Sequence, residues 1–338
     1  MEKGKKVLIL GAGNFGTCLA QHLAKTGVNV DLWTRSKEVC RSINESHRNP
    51  KYLSHINLLN RIRGCHDFKQ MNFSEYYTII IAIPTQSFRA VLNDISSFIE
   101  ESCPIVCAAK GIENETLKFP LEIIQDTLGD NHYRNSVILS GPSFAIDIME
   151  EQPTAVSVAG FDPAIVGKIQ DLFHTSFFRT YTSEDPLGLE IAGALKNIIA
   201  IAAGACTGLG FRDNARAALL TRGMAEITRI GVNLGANPVT FNGLGGIGDL
   251  FLTCTSEKSR NFRTGLMLSQ GMKLDEIISQ LGSVAEGIQT TKAAYQLVSK
   301  IKVDAPMIKQ VYGVLYQDLP VMDAVNNLLN RDKKAEIT

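Results

Sequence analysis

Short, almost uninterrupted runs of apolar residues punctuate the first half of the chain. They fall at residues 7–10, 28–33, 78–83, 105–108, 137–139 and 155–158. Strands that are hydrophobic on both faces are typical of a parallel sheet with helices packed on each side. We therefore predict a strand at each of these runs and a parallel sheet that is covered on both faces.

The stretches between the runs carry the spacing of helices. Residues 14–26 follow the first run directly, and residues 88–100 hold spaced apolar positions. Strands and helices that alternate through short connections predict a Rossmann-type, doubly wound α/β domain.

The pattern changes near residues 184–189, beyond which β-rich runs are scarce and helical spacing dominates. Helices are predicted at 187–205, 215–234, 259–270, 274–281, 290–300, 306–315 and 321–330. A chain of 338 residues is long enough for two domains that each bury a core. We predict an α/β domain over residues 1–188 and an all-α domain over residues 189–338.

Charge and cysteine content exclude several classes of protein. Lysine plus arginine and aspartate plus glutamate number 34 each, so no overall positive field attracts nucleic acid or an anionic membrane. Any anionic ligand must therefore meet local charges. The seven cysteines and six histidines lack disulfide or metal-ligand spacing, which predicts reduced thiols, a cytoplasmic protein and no metal site. Neither a signal peptide nor a membrane-spanning run of about 18 apolar residues is expected.

The first predicted strand leads directly into a glycine-rich turn. The sequence GAGNFG places Gly11, Gly13 and Gly16 in a GxGxxG motif between a strand and a helical pattern. The first glycine permits a tight turn, the second lets the backbone approach a pyrophosphate, and the third permits close helix packing. We therefore predict that the α/β domain binds a dinucleotide, whose pyrophosphate the helix N-terminus stabilises.

The end of the second predicted strand bears on which dinucleotide is bound. An acidic residue at this point commonly binds the ribose hydroxyls, but Asp31 lies within the strand rather than at its end. The strand is expected to end near residues 33–35, where Arg35 suits a 2′-phosphate or stacks on adenine. This arrangement favours NADP and leaves NAD open.

A lysine interrupts one apolar helical pattern. Residues 191–205 read IAGALKNIIAIAAGA, in which Lys196 is the charged residue. A lysine buried among small apolar residues loses hydration, which lowers its pKa and lets it give and accept a proton near working pH. Such a residue suits general acid–base catalysis. The alternative is a structural lysine paired with a buried carboxylate.

Eight stretches, in this order, resemble one enzyme family: GAGNFGT, AAKGIE, GPSFA, GALKNIIAIAAG, GFRDNARAALLTRG, GIGDLFLTCTS, SRN and VAEG. From about residue 5 to about residue 330 the chain resembles the bacterial NAD(P)-dependent glycerol-3-phosphate dehydrogenases. The resemblance implies reduction of dihydroxyacetone phosphate to sn-glycerol 3-phosphate, which supplies phospholipid synthesis. It also implies a homodimer in which the helical domain completes the active site.

The resemblance assigns roles to residues of the helical part. Lys196 corresponds to the general acid–base residue of the family, and Asp249 would orient it together with a substrate hydroxyl. Because Asp249 precedes an apolar run, it is also a candidate N-cap for the next helix. Ser259, Arg260 and Asn261 match substrate-binding positions, and Arg260 would also reach the cofactor. An arginine at a helix N-terminus is a natural phosphate site.

Further assignments fall mainly in the α/β part. Lys110 follows the predicted strand at 105–108, at the sheet edge where ligands bind, and matches a contact to both substrate and cofactor. Gly141 and Ser143 match substrate-binding positions. The positions that match cofactor contacts are Asn14, Phe15 and Ala145, with Val284 and Glu286 near the nicotinamide end. Asn14 departs from the serine that is frequent in the family.

Two other functions share some of these features. A related reductase acting on a β-hydroxyacid such as 6-phosphogluconate also uses a lysine on the helix that opens the second domain. Such enzymes typically carry an asparagine four residues later, where this chain has Ala200. A non-catalytic NADP-binding sensor would need neither a buried lysine nor a second anion site.

Overall fold

An eight-stranded sheet lies at the centre of the first half of the chain, in a computed structural model that describes residues 6–282, 285–333 and 335–336. Its strands are β1 (Lys6–Leu10), β2 (Asn29–Trp33), β3 (Ile62–Cys65), β4 (Tyr76–Ile81), β5 (Ile105–Cys107), β6 (Ser136–Ser140), β7 (Thr154–Gly160) and β8 (Phe178–Ser183). They lie in the order β3-β2-β1-β4-β5-β6-β7-β8. Buried apolar residues cover both faces of this sheet, as predicted.

The direction of one strand differs from the prediction. Strands β1 to β6 are parallel to one another, but β7 runs antiparallel to β6, with Ile138 opposite Ala159, and β8 is parallel to β7. An apolar run indicates burial and not direction, so the sequence pattern did not distinguish the two cases. Only a short helix, Ala145–Met149, lies between β6 and β7, whereas a parallel crossover usually needs a longer one.

Strands β3 and β8 were not predicted because they lie at the two edges of the sheet. Their sequences, IRGC and FRTYTS, contain polar residues that face solvent. An edge strand with one exposed face lacks the continuous apolar run on which the prediction depended.

In the described part of the chain seven helices flank this sheet, and two of them are capped by a local side chain. They are α1 (Asn14–Lys25), α2 (Lys37–Ser46), α3 (Phe88–Ile95), α4 (Pro120–Leu128), α5 (Asp130–Arg134), α6 (Ala145–Met149) and α7 (Pro163–Phe173). Ser36 accepts a hydrogen bond from the Val39 N–H at the start of α2, and Asp162 accepts one from Ala164 at the start of α7. These caps satisfy N–H groups that have no partner inside the helix.

The second half of the described chain is helical, as predicted. Its helices are α8 (Pro186–Gly208), α9 (Asp213–Asn233), α10 (Asp249–Cys254), α11 (Arg260–Ser269), α12 (Leu274–Leu281), α13 (Glu286–Lys300), α14 (Pro306–Tyr316) and α15 (Val321–Leu329). Short helical turns at Pro238–Asn242 and Leu244–Gly248 precede α10. Helix α10 is only six residues long, and the sequence pattern indicated a helix after Asp249 without giving its bounds.

Helix α8 forms the core of this half and packs against α9, α10, α11, α13 and α14. By length and composition it could cross a membrane, yet 94% of its most apolar window is buried inside the protein. Its hydrophobic character therefore reflects a core helix. A Cβ on Gly204 of α8 would overlap the carbonyl oxygen of Phe262, and one on Gly265 would overlap that of Ile201, so α8 and α11 approach backbone to backbone.

The chain passes from the sheet to the helical half between Ser183 and Pro186. Asp185 starts α8 by accepting a hydrogen bond from the Gly188 N–H at 2.9 Å. Helix α8 also contacts β6, and its buried Glu190 accepts the Leu121 N–H at 2.9 Å. The boundary placed at residue 188 falls in the first turn of α8 and stays a prediction.

Candidate functional site

A cleft of about 1390 Å³ separates the sheet half from the helical half. One wall consists of the segments that follow the carboxyl ends of β1, β2, β4, β5 and β6. The other consists of residues from α8, α10, α11 and α13 and from the loop before α11. Ligands of open α/β sheets bind at this edge of the sheet.

The predicted glycine turn lies at one end of this cleft. Gly11 has φ +116°, and a Cβ there would come within 2.6 Å of the Ala82 carbonyl oxygen. A Cβ on Gly16 would overlap the Gly11 carbonyl oxygen, so Gly16 supports the turn and does not line the cleft. Around Gly13 the space is open, and α1 begins at the next residue, Asn14. Backbone N–H groups at this helix N-terminus are therefore accessible to an anion, which fits a dinucleotide pyrophosphate.

The two residues that bear on cofactor choice lie in different environments. Asp31 is 1% exposed and is bound by Arg63, by the Tyr76 hydroxyl at 2.6 Å and by Lys6 at 3.0 Å. Burial alone would raise the pKa of Asp31, but these partners hold it below its usual range. Arg35, two residues beyond β2, is exposed and lines the cleft, as do Asn14 and Phe15.

Lys196 and Lys110 meet on the carboxylate of Asp249. The Lys196 ammonium group lies 2.5 Å from Oδ1 of Asp249 and donates to the Thr253 hydroxyl at 2.8 Å. The Lys110 ammonium group lies 2.6 Å from Oδ2. Asp249 is 1% exposed and Lys196 6% exposed, and both lysines line the cleft.

The electrostatics of this cluster depend on burial and on the shared carboxylate. Burial lowers the pKa of Lys196 to about 8 against the opposing effect of Asp249, and the charge of Lys110 acts in the same direction as burial. Burial alone would raise the pKa of Asp249, but the two ammonium groups outweigh it and hold that pKa below its usual range. Two cations and one anion leave the cluster with a net positive charge near neutral pH.

The position of Asp249 follows from the glycine-rich turn before it. Gly246 has non-helical dihedral angles, and a Cβ there would overlap the Phe241 carbonyl oxygen. Helix α10 starts at Asp249, with Gly248 in the cap position, so the alternative that Asp249 is an N-cap is wrong. Thr253, which was not predicted as a site residue, lies four residues later on the same face of α10. The i, i+4 spacing from Asp249 was the available signal.

Ser259, Arg260 and Asn261 form the start of α11 and line the cleft. Ser259 is buried and caps the helix by accepting the Phe262 N–H at 3.2 Å. Asn261 donates to Oδ1 of Asn197 at 2.9 Å and accepts the Gly287 N–H at 3.0 Å. These bonds bring α8, α11 and α13 together, and they place Asn197, beside Lys196, on the cleft wall.

The segment after β6 contributes a turn and a short helix. Gly141 has φ +149°, and a Cβ there would lie 2.8 Å from the Val156 Cα, so its role is to form the turn rather than to line the cleft. Ser143 donates to the Gly141 carbonyl oxygen at 2.9 Å. Ser143 and Ala145, the first residue of α6, both line the cleft.

Of the two residues predicted near the nicotinamide end, the structure describes Glu286. This residue is the first of α13 and lines the cleft. Burial raises the pKa of Glu286 to about 7, opposed by the charges of Arg260, Lys110 and Lys196. Val284 lies outside the described residues. Among the residues described, no group of three His, Cys, Asp or Glu side chains is placed to hold a metal, and all seven cysteines are free thiols.

Comparison with known proteins identifies relatives along nearly the whole chain. Residues 6–165 match the model described as NAD-dependent glycerol-3-phosphate dehydrogenase N-terminus, and residues 185–326 match the corresponding C-terminus. A glycerol-3-phosphate dehydrogenase (NAD(P)+) of Lysinibacillus sphaericus is 46% identical over 334 residues, covering 98% of both chains. One from Staphylococcus haemolyticus is 44% identical over 332 residues, covering 98% of this chain and 99% of that protein.

A solved structure agrees with these matches. The crystal structure of glycerol-3-phosphate dehydrogenase from Coxiella burnetii superposes with a TM-score of 0.92 at 33% identity, covering 97% of this chain and 99% of that one. These matches favour the dehydrogenase over a β-hydroxyacid reductase and over a non-catalytic sensor.

Proposed function

We propose that this chain, which belongs to the NAD-dependent glycerol-3-phosphate dehydrogenase family, catalyses the reversible NAD(P)H-dependent reduction of dihydroxyacetone phosphate to sn-glycerol 3-phosphate. The observation that carries the proposal is the buried Lys196–Asp249 pair, joined at 2.5 Å on the wall of the cleft that also holds the glycine turn. A proton donor of this kind is what ketone reduction requires, because negative charge develops on the carbonyl oxygen.

The cofactor would bind along the sheet edge. The N-terminus of α1, with Gly13 and Asn14, would hold the pyrophosphate, and Lys110, Ala145, Arg260, Val284 and Glu286 would contact the rest of the molecule. When bound, the nicotinamide supplies the hydride. The exposed Arg35 beyond β2 supports a preference for NADP over NAD, because a guanidinium pairs well with a 2′-phosphate.

Lys196 would donate the proton to the carbonyl oxygen and take it back in the oxidation direction. Its pKa of about 8 lets it carry the proton at neutral pH and release it at small cost. Asp249, held by both lysines, would orient the ammonium group of Lys196, and the Thr253 hydroxyl would hold it through a second hydrogen bond. We assign the acid–base role to Lys196 alone among these three.

The substrate phosphate would bind between the α11 N-terminus and the lysine cluster. Arg260 at the first position of α11 supplies a guanidinium, and the helix dipole adds positive potential. Lys110, Ser143, Asp249, Ser259 and Asn261 complete the proposed substrate set, and Gly141 forms the turn that carries Ser143. The formal net charge of the chain is zero, so this local excess of cations would attract the phosphate.

The proposal extends to the location of the protein, its oligomeric state and the use of its product. We infer a cytoplasmic protein, because the α8 helix that could span a membrane by composition is buried in the core. We also propose a homodimer, since most soluble oligomers of this kind are symmetric dimers. Supply of glycerol 3-phosphate for glycerophospholipid synthesis is the expected use of the product.

The test is turnover with purified protein. NADPH should be oxidised when dihydroxyacetone phosphate is added, and not when 2-keto acids are added. Lys196→Ala should abolish turnover while NADPH still binds, whereas Lys309→Ala, an exposed lysine on α14, should behave as the unmodified protein. A kcat for Lys196→Ala within a few-fold of the original would remove the acid–base role. Turnover of 2-keto acids but not dihydroxyacetone phosphate would contradict the assigned substrate, and no turnover with any ketone would favour the sensor.

A further inference from the structure

Two side-chain contacts cross the cleft and take no part in the proposed chemistry. Nδ2 of Asn114, beyond β5, donates to Oε1 of Gln289 on α13 at 2.7 Å. The ammonium group of Lys258, just before α11, lies 2.6 Å from Oδ1 of Asp147 on α6. In each contact one residue belongs to the sheet half and the other to the helical half. We call them the amide contact and the ion-pair contact.

The amide contact is held in position from both sides. The Asn114 N–H donates to the side chain of Gln86 at 3.1 Å, and Gln86 in turn donates to the Ile112 carbonyl oxygen at 2.7 Å. Asn114 is therefore fixed to the sheet half. Gln289 lies one turn after Glu286 on α13, so it moves with the part of the site assigned to the nicotinamide end.

Beside the amide contact, α13 packs closely against the sheet half. A Cβ on Gly111 would come within 2.8 Å of the Thr85 hydroxyl oxygen and within 3.1 Å of that of Thr290, the residue after Gln289. The Thr290 side chain of α13 therefore packs against the backbone of the sheet half at Gly111. A movement of α13 away from the sheet would separate Gln289 from Asn114.

The ion-pair contact lies toward the glycine turn. Helix α6, which carries Asp147, packs against α1, the helix that begins at the turn. Lys258 directly precedes Ser259, the cap of α11. Asn114, Gln289 and Lys258 all line the cleft, so both contacts border the space that a bound ligand would occupy.

We propose that the amide contact and the ion-pair contact hold the sheet half and the helical half together around a bound dinucleotide and thereby set its rate of release. This inference rests on the proposed function only in requiring that NADPH occupies the cleft. Asn114, Gln289, Asp147 and Lys258 act as positioning residues, and none of them takes part in hydride or proton transfer.

The first test measures the release of NADPH by stopped-flow displacement, using the change in its fluorescence. Gln289→Ala should release NADPH about fivefold faster, which corresponds to the loss of one typical hydrogen bond. The double variant Asn114→Ala/Gln289→Ala should release it no faster than either single variant, because both remove the same bond. Gln310→Ala is the matched control, since Asn327 donates to Gln310 at 3.1 Å within the helical half.

The second test uses the charges of the ion-pair contact. Lys258→Ala should release NADPH about two- to threefold faster at low salt, and the difference from the unmodified protein should vanish at about 1 M salt. The exchange Asp147→Lys/Lys258→Asp should restore slow release, whereas each single exchange should not. Lys25→Ala, which breaks a 2.6 Å ion pair with Glu151 within the sheet half, is the control.

The outcomes separate this inference from the proposed function. Release rates of all Asn114, Gln289 and Lys258 variants within experimental error of the original would overturn it, as would equal acceleration in the Gln310→Ala and Lys25→Ala controls. Failure to bind NADPH at all would overturn both proposals. NADPH binding without reduction of dihydroxyacetone phosphate would overturn the proposed function alone, and the release rates would still decide the roles of the two contacts.

Discussion

Asp249→Asn tests the mechanism most directly, because it removes the carboxylate that both cleft lysines contact while it keeps the shape of the side chain. Lys196 lies 2.5 Å and Lys110 2.6 Å from this carboxylate. Without it, two ammonium groups face a neutral amide in a site where Lys196 is only 6% exposed. The protonated form of Lys196 then loses its main stabilising partner.

The magnitude follows from the distance and the burial. Two unit charges about 4 Å apart interact by about 4 kcal/mol at an effective dielectric constant of 20. At about 1.4 kcal/mol for each pH unit, this moves the titration of Lys196 down by roughly three pH units. The pKa of Lys196 is about 8 in the intact site. Reduction needs the protonated amine. The rate of the unmodified protein should therefore decline as the pH rises above 8. In the variant the same decline should begin roughly three pH units lower.

The assay is the pH dependence of kcat/KM for dihydroxyacetone phosphate reduction. Near pH 7.5 the variant should lose roughly two orders of magnitude in rate, and lowering the pH should recover part of the loss. Oxidation of glycerol 3-phosphate, which needs the neutral amine, should show the opposite dependence on pH. Binding of NADPH serves as the control for folding. A pH profile that stays centred near 8 in Asp249→Asn would refute the argument that Asp249 sets the protonation of Lys196.

Three other substitutions test separate parts of the site and the fold. Arg260→Ala should weaken binding of the phosphorylated substrate by roughly 2–5 kcal/mol, because a buried phosphate would lose its charged partner, and an unchanged KM would remove Arg260 from the phosphate site. Arg35→Ala should raise the KM for NADPH more than that for NADH, and equal changes would contradict contact with a 2′-phosphate. Burial raises the pKa of Glu190 to about 8, so this carboxyl stabilises the fold fully below its unfolded pKa near 4.5 and loses that contribution as the pH rises to 8. Glu190→Gln keeps an acceptor for the Leu121 N–H. In denaturant unfolding at pH 5, 7 and 9, the free energy of unfolding of this variant should depend less on pH than that of the unmodified protein. An unaltered pH dependence would exclude Glu190 as its source.

The sequence predicted the buried strands better than the edge strands and the strand directions. Both faces of a strand such as residues 7–10 are covered, so all of its residues are apolar and its sequence alone indicates burial. Strands β3 and β8 form by pairing with β2 and β7, respectively. The antiparallel direction of β7 depends on the connection before it. These features are properties of pairing between segments, which a local pattern does not encode.

The same distinction applies to the site. Lys196 could be singled out from its apolar neighbours alone, since its unusual environment is local. Asp249 was singled out by the family resemblance, and its carboxylate meets Lys110 from 139 positions away in the chain. The contacts of Gln289 with Asn114 and of Lys258 with Asp147 span 175 and 111 positions, and ordinary polar residues form them. Only the folded arrangement of the two halves brings such residues together.

The small residues near Lys196 connect the packing of the helices with the proposed chemistry. Because Gly204 and Gly265 leave no side chain between α8 and α11, the two backbones touch where the helices cross. That crossing lets Asn261 bond Asn197 at 2.9 Å, and these residues adjoin Arg260 and Lys196 respectively. The separation between the proposed phosphate site and the proposed proton donor is thus fixed by backbone contact rather than by flexible side chains. Burial of α8 among its neighbouring helices also lowers the pKa of Lys196, so the packing of the helical half bears on both the proposed phosphate site and the proposed proton donor.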